Sequence, residues 1–439
     1  MSSPDRINHY LDQVCAQIGC REMHAEIRAE LSDHFQALLD TTASDEATQE
    51  TAIEQALQCM GDPIEVGQRL DQAHRPRTDW AILALVGCLV SFGLVATFVL
   101  QAQRAMAQEE FLWRLLRPKL LGVVLGCAVA AWLFGQDYRR LQRYSWPLFY
   151  ATVACMLWAT RSDVAMNGIP QFVVVGGMTI SIYAIAPYLL TTALAGIMPQ
   201  WDWKQPLSSL KLALLLGGPV LIFLSAPSFT SLVVYTLGFM AVTWASGVRW
   251  QVVVGLPAAL ATVLILAREG LNPYRLQRLL IWLNPTRDPN GMGYLPMKVN
   301  QAVHSAGWAG RGIGASLRLG VPLTPELAVA GVIHAFGILM GVLITLLAVG
   351  FIYRMVTLAM EIKEPYGRVM VIGLSTLFSC QLILNLLMNG IVGVSIAPLL
   401  SNNIPFLAMS GSLFGVEMAA VGLMLAAYRR KDMIPRVKG

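Results

Sequence analysis

From residue 79 onward the chain is a succession of apolar stretches, each long enough to cross a bilayer at roughly 17–25 residues per span. They lie near 79–101, 120–136, 146–160, 178–198, 209–225, 229–246, 250–267, 326–353, 369–390 and 405–428. Hydrocarbon offers backbone N–H and C=O groups no partners, so a spanning segment must satisfy them internally, and unbroken apolar runs do so as helices. The expected fold class is all-α: a polytopic transmembrane helical bundle of about ten spans with a small soluble helical N-terminal domain. Composition agrees, because only 13% of the residues are charged, against about 25% in soluble domains.

Charge divides the chain. Residues 1–78 hold 14 Asp/Glu and 6 Lys/Arg, a net of −8, and the remainder holds 13 and 26, a net of +13. The overall +5 therefore sums two opposite regions and is no nucleic-acid signal. The seven cysteines, Cys15, Cys20, Cys59, Cys88, Cys127, Cys155 and Cys380, are odd in number and include no CxxC pair, which predicts free thiols. Cys15, Cys20 and His24 fit no standard zinc spacing and read as part of a helical core. The polar first 78 residues show no cleavable signal peptide.

Within residues 1–75, Leu11, Val14 and Ile18 keep helical spacing, as do Ile27, Leu31, Phe35 and Leu38, and Gly61-Asp62-Pro63 is a turn or helix start. The stretch from Glu26 to His34, with Met60-Gly61-Asp62-Pro63, resembles the helical prefix domain ahead of some bacterial permeases. That implies a regulatory or docking head, and the simpler reading is a cytoplasmic cap without chemistry.

Lys/Arg bias sets orientation. Arg139, Arg140, Arg143, Lys204, Arg249, Arg354, Arg368, Arg429, Arg430 and Lys431 share one side in an even-span arrangement, so both termini, with the tail 431–439, are expected in the cytoplasm. Arg114, Arg117 and Lys119, in an expected loop at 102–119, oppose this weakly. The segment 268–325 becomes a long external loop, and loops of that length are commonly functional. In it, Leu276, Leu279, Leu280 and Leu283 predict an amphipathic surface helix. Asn284-Pro285 and Asp288-Pro289-Asn290-Gly291 are turn chemistry. Gly307, Gly310, Gly312 and Gly314, interleaved with Trp308 and Arg311, read equally as a phosphate cradle of backbone N–H groups or as a plain flexible loop.

An ordered set of motifs resembles the SEDS family (FtsW, RodA, SpoVE) across roughly 79–430. It comprises Asn167-Gly168, Pro227 with Thr230, Pro273-Tyr274-Arg275, Asn284-Pro285 with Asp288-Pro289, Gly293-Tyr294, Ser305, Gly307 and Gly310-Arg311-Gly312. Ile404-Pro405-Phe406 and Ser410-Gly411-Ser412 complete it before the last span. The resemblance implies ten spans, a bacterial cytoplasmic membrane location, and polymerisation of the polyprenyl-linked precursor lipid II beside a monofunctional penicillin-binding transpeptidase, in division, elongation or sporulation.

The family's key Asp lies eleven positions before a glycine of the following span. Counting back from Gly337 gives Glu326. The implied reaction needs a general base to deprotonate the attacking sugar hydroxyl. Its leaving group is a lipid pyrophosphate, whose developing charge calls for cationic side chains or a divalent cation. Arg311 stands where the family has the Lys of Gly-Lys-Gly, and Lys298, Arg318, Asp288 and Ser410 complete the implied substrate contacts with Glu417. From local pattern alone, Thr324-Pro325-Glu326 would simply start a helix. Glu417 and His334 are ionisable residues inside spans, which mark cavities or polar helix contacts.

The chain also departs from the pattern. The family's Gln-Pro-Ser-Glu-Leu-Ala-Lys aligns with Ser181 to Pro187, its Glu-Glu pair with His334-Ala335, its Asp after proline with Ser228, and its Gln after tyrosine with Leu295. These losses support an alternative, a catalytically degenerate scaffold for a transpeptidase or other envelope protein. The intramembrane charges support a third reading, transport of a lipid-linked precursor.

Overall fold

The computed structural model describes residues 3–19, 23–42, 49–73, 78–104, 109–161, 165–166, 169–170, 172–175, 178–201, 208–225, 228–266, 281, 284–291, 293–313, 327–389, 405–406 and 411–431. These fall into two compact units, residues 1–78 with 428–439 and residues 79–427.

The first unit contains α1 (Ser3–Ala16), α2 (His24–Thr42), α3 (Gln49–Met60) and α4 (Pro63–Ala73). Leu11, Val14, Ile18, Ile27 and Phe35 are buried together, with Leu31 and Leu38 packed against them, as their spacing predicts. Ile18 lies beyond the end of α1, in a turn closed by its N–H on the Cys15 carbonyl. Tyr10 packs edge-on to Phe35 and donates its hydroxyl to the carbonyls of Met60 and Gly61, fixing the α3–α4 turn. Gly61 has φ +81°, a conformation that favours glycine. Cys15 is buried in this core and His24 bonds the Ile18 carbonyl. Among the described residues six cysteines are free thiols.

The second unit opens with α5 (Trp80–Arg104) and α6 (Glu109–Gly135). The helix α6 starts eleven residues before the expected span at 120, so Arg114, Arg117 and Lys119 extend a helix and do not form a loop. A short turn at Arg139–Gln142, α7, leads to α8 (Ser145–Ala159). Two antiparallel hairpins follow, β1 (Ala165–Met166) with β2 (Ile169–Pro170) and β3 (Phe172–Val175) with β4 (Met178–Ser181). The expected span from 178 therefore starts as helix only at α9 (Ile182–Ile197). Next come α10 (Ser208–Ser225), α11 (Phe229–Ala245), α12 (Trp250–Leu266) and the amphipathic α13 (Tyr294–Ser305). The expected span at 326–353 is instead two helices, α14 (Ala328–Phe336) and α15 (Ile338–Glu361). The chain ends through α16 (Pro365–Met388) and α17 (Gly411–Arg429).

Among the described residues five helices are long and apolar enough to cross a membrane, and five shorter apolar ones accompany them. They fall on the ten stretches read from the sequence. This is a multi-pass membrane protein.

The bundle is centred on α16, which packs against α9, α11 and α15. Small residues let these backbones approach, as membrane helices require in the absence of a hydrophobic drive between them. A Cβ at Gly373 would come within 2.6 Å of Thr191, and one at Gly238 within 2.7 Å of Leu377. Large apolar side chains on the opposite faces, such as Leu343, Leu346 and Val349 of α15, are exposed to the lipid.

Two partly buried polar links join distant helices. Asp79 accepts the Ile82 N–H at 3.0 Å, capping α5, and holds Arg354 of α15 through Nε at 2.8 Å and an Nη at 2.6 Å. Glu364 caps α16 through the N–H groups of Tyr366 and Gly367 and accepts the Tyr138 hydroxyl at 3.0 Å. Asp79 is almost wholly buried, so removing its partner strands a charge. Arg354→Leu is expected to cost about 3 kcal/mol, read as a lowered thermal midpoint in detergent, and Asp79→Asn in the same chain should recover part of it.

Candidate active site

The carboxylate that the sequence pattern points to, Glu326, lies outside the described residues, as do Arg318 and Ser410. Leu276, Leu279, Leu280 and Leu283 of the expected surface helix lie outside them too. The surrounding frame is described in detail. Its centre is the half-helix α14, which begins immediately after Leu327.

The amino end of α14 is held by another helix. Leu327 stands at the N-cap and offers no side-chain bond, and the first turn contains no acid. Thr324, Pro325 and Glu326, the expected start of this helix, lie outside the described residues. A polar group at the end of α16 serves the first turn, with Asn389 Oδ1 accepting the Ala330 N–H at 2.9 Å. Asn389 Nδ2 is itself oriented by Asn385, through the carbonyl at 2.9 Å and Oδ1 at 2.8 Å. Both asparagines are fully buried.

The carboxyl end of α14 is held by the glycine-rich loop. Gly337 breaks the helix with φ +93°. A break inside a membrane bundle exposes carbonyls and N–H groups that need partners. Arg311 N–H donates to the His334 carbonyl at 2.9 Å, Gly312 N–H to the Ala335 carbonyl at 3.0 Å, and Ile338 N–H to the Gly307 carbonyl at 3.0 Å. Gly310 and Gly312 have φ of +78° and +92°. A Cβ on Gly337 would overlap the Trp308 carbonyl and come within 2.7 Å of the Gly310 nitrogen. The expected phosphate cradle is therefore corrected at two of its amides, since the N–H groups of Arg311 and Gly312 are spent on closing the helix break.

The remaining candidates take distinct places around this frame. Asp288 forms a turn by accepting the Gly291 N–H at 3.0 Å, and its carbonyl accepts Gly293 N–H at 3.0 Å just before α13. Lys298 lies on α13, 5.7 Å from the Tyr294 ring. The α13 helix packs on α14. Arg311 is exposed, and its Nε–H is anchored on the Ser305 carbonyl at 2.8 Å, at the end of α13. The turn, α13, the loop and α14 thus form one connected body carrying Asp288, Lys298 and Arg311.

Glu417 is placed apart from this body. It is fully buried on α17, where Oε2 accepts the Phe406 N–H at 2.7 Å. Nearby Tyr188 donates to Gln381 Oε1 at 2.7 Å. His334 is buried in α14, and its Nδ1 has no hydrogen-bond partner among the described residues; the same is true of Asn300 Oδ1 on α13. The sequence reading missed Gln381, Asn385 and Asn389. Their signal was present: three carboxamides at four-residue spacing on one face of an apolar span. Among the described residues no three His, Cys, Asp or Glu side chains converge as a metal site.

The profile of the FtsW/RodA/SpoVE family, described as a cell cycle protein family, matches residues 79–432. The chain belongs to this family. The FtsW/RodA/SpoVE region is similar to the probable peptidoglycan glycosyltransferase FtsW of Trichlorobacter lovleyi, 24% identical over 362 residues covering 79% of this chain and 92% of that protein. It is similar to the FtsW of Thioalkalivibrio sulfidiphilus at 26% identity, covering 83% and 93%. Stage V sporulation protein E of Bacillus subtilis shares 30% identity over 36% of this chain and 43% of its own length. Among solved structures, a chain of a peptidoglycan synthase complex that coordinates polymerization and crosslinking superposes with TM-score 0.66 at 23% identity, covering 81% of this chain and 98% of that one. RodA of Thermus thermophilus superposes with TM-score 0.59 at 20% identity, covering 81% and 97%. These two likenesses establish the fold.

Gly337 combines a left-handed φ with backbone close to where a Cβ would stand. Gly337→Ala adds left-handed strain of about 1–3 kcal/mol to a clash with backbone that has no room to move. A thermal midpoint lowered by several degrees is expected, while Gly87→Ala on α5, where a Cβ meets open space, should leave it unchanged.

Proposed function

We propose that this protein is a membrane peptidoglycan glycosyltransferase that polymerises lipid II during cell wall synthesis. The observation that carries this reading is co-extension: the transmembrane unit matches FtsW relatives over nine-tenths of their length. The family body around α14 provides the frame for the chemistry.

In this reading Glu326 is the general base. It takes the proton from the acceptor sugar hydroxyl as that oxygen attacks the anomeric carbon of the donor. The bond from that carbon to the lipid pyrophosphate breaks with inversion, and the pyrophosphate departs with its electron pair. Positioned proton transfer of this kind contributes about 10²–10⁴-fold. Glu326 precedes α14 by two residues, so the anchoring of that half-helix at both ends serves to hold the base still. Arg311, with Lys298 and Arg318, supplies positive charge for the departing pyrophosphate. Asp288 and Ser410 complete the substrate contacts.

The basic residues Arg139, Arg140, Arg143, Arg249, Arg368 and Arg429 at helix ends support a cytoplasmic placement of both termini. The acidic N-terminal unit is then a cytoplasmic head suited to docking. The synthase complex to which this fold is similar couples polymerization to crosslinking, which supports a transpeptidase as the partner here. Gaps at Ser181–Pro187, Ser228 and His334-Ala335 favour one competing reading, a scaffold for such a partner without polymerisation.

Purified protein given labelled lipid II, with and without a candidate transpeptidase, is expected to make glycan strands. Glu326→Gln should lower the rate by about 10²-fold or more in folded protein. A fully active Gln variant removes Glu326 as base, and folded wild type that makes no strands under either condition favours the scaffold.

A further inference from the structure

The start of α8, the end of α9 and the start of α10 meet at one end of the transmembrane unit. A Cβ on Gly196 of α9 would overlap Ser145 Oγ, so the two helices touch there, and α8 also packs on α10. Beyond α9 the chain makes a single 3₁₀ turn, Met198–Gln200, which Trp201 closes by donating its N–H to the Met198 carbonyl at 3.3 Å.

These contacts assemble three aromatic rings into one shelf. Trp146 and Tyr150 stand about one turn apart on α8, with ring centres 5.6 Å apart and planes at 22°. The Trp201 ring lies 6.1 Å from that of Trp146. Buried Phe149 meets Tyr150 edge-on at 5.9 Å and backs the shelf from the core. The fourth member is a cation. Lys211 of α10 places its Nζ 5.7 Å from the centre of the Trp201 ring, within the range of a cation–π contact.

The shelf faces outward. Tyr150 is 62% exposed, and Trp146 and Lys211 are exposed as well. Leu210 and Leu214, on either side of Lys211 along α10, are exposed too. Leucines on the outer face of a membrane bundle meet acyl chains, so what covers the shelf is lipid. Its place at the ends of three helices puts it at the depth of the headgroups. Trp and Tyr are favoured there because each joins an apolar ring to a polar N–H or O–H. A single interfacial tryptophan only anchors a helix. Here rings from two chain segments are joined and a cation is held over one of them, and a cation in the headgroup layer attracts anionic lipid. Exposed Arg143, just ahead of α8, adds positive charge at the same end.

We propose that Trp146, Tyr150, Trp201 and Lys211 form a binding site for an anionic phospholipid, with the ammonium on the headgroup phosphate and the rings against the glycerol and upper acyl chains. A zwitterionic lipid carries its own cation beside the phosphate and gains less from Lys211. The site is independent of the polymerase reading and requires only that the unit sits in a bilayer. In the orientation proposed above it opens to the inner leaflet.

Native mass spectrometry of the full-length protein, titrated in detergent with dioleoyl phosphatidylglycerol or dioleoyl phosphatidylcholine, tests the site. The first phosphatidylglycerol should be held about fivefold tighter or more than the first phosphatidylcholine; equal affinities overturn the proposal without any variant. Lys211→Gln should weaken phosphatidylglycerol by about fivefold and leave phosphatidylcholine unchanged. Lys363→Gln, at an exposed lysine between α15 and α16, controls for diffuse attraction and should keep the preference. A Lys211→Gln protein that binds like wild type, or a Lys363→Gln protein that loses as much, overturns the site. Trp201→Leu, with Lys211 in place, should weaken phosphatidylglycerol by about twofold or more. An unchanged affinity, in protein with the wild-type thermal midpoint, overturns the aromatic part of the site; if that variant is destabilised, the two lysine variants decide.

Discussion

The hydrogen bonds that close the break at Gly337 hold the architecture around the candidate site. A membrane helix that stops mid-bundle leaves its last carbonyls without partners, and lipid supplies none. Here the backbone of Gly307–Gly312 provides them, at 2.9–3.0 Å, and receives the Ile338 N–H in return. The exchange works only because glycines occupy both crossing strands: a side chain at Gly310 or Gly337 would enter the other's backbone. One interaction therefore fixes the end of α14, the course of the loop carrying Arg311, and the start of the long lipid-facing α15.

The opposite end of α14 is fixed by a different device. Asn389, aligned by Asn385, reaches from α16 to the Ala330 N–H. Because α16 is also the helix on which α9, α11 and α15 pack, the half-helix is referenced to the helix at the centre of the bundle. Pre-organisation of this kind is what a base needs, since a displacement of about 1 Å can cost about 10²-fold in rate. The polar groups that do this are neutral amides.

Much of this was legible in the sequence. The ten apolar stretches correspond to ten apolar helices because a span's length and hydropathy are set by the bilayer, whatever the helix packs against. The free thiols and the core of the first unit followed from count and spacing. The broken helix was not legible. Residues 327–361 contain no Asp, Glu, Lys, Arg or His other than His334, Arg354 and Glu361, so hydropathy reads one span. The break depends on the sign of φ at Gly337 and on a loop far away in sequence that fits against it. The loss of two amides from the expected phosphate cradle has the same cause: composition shows that N–H groups are available but not that a helix end claims those of Arg311 and Gly312. Glu417 was legible as an ionisable residue within a span, but the Phe406 N–H that it accepts belongs to the backbone, which no residue pattern announces. Asn389 shows the converse case, a partner that an asparagine in an apolar span could have signalled.

In the polymerase reading, the anchoring of α14 at both ends positions the base without touching the glycan. The most direct measurement is the steady-state rate of lipid II polymerisation by Asn389→Leu, in protein shown to be folded. This change removes the acceptor for the Ala330 N–H and leaves Glu326, Arg311 and the glycine crossing in place. The account predicts that kcat falls by about tenfold or more while KM for lipid II changes little. An unchanged kcat would contradict it, and would mean that the carboxylate is held by something other than the half-helix that follows it.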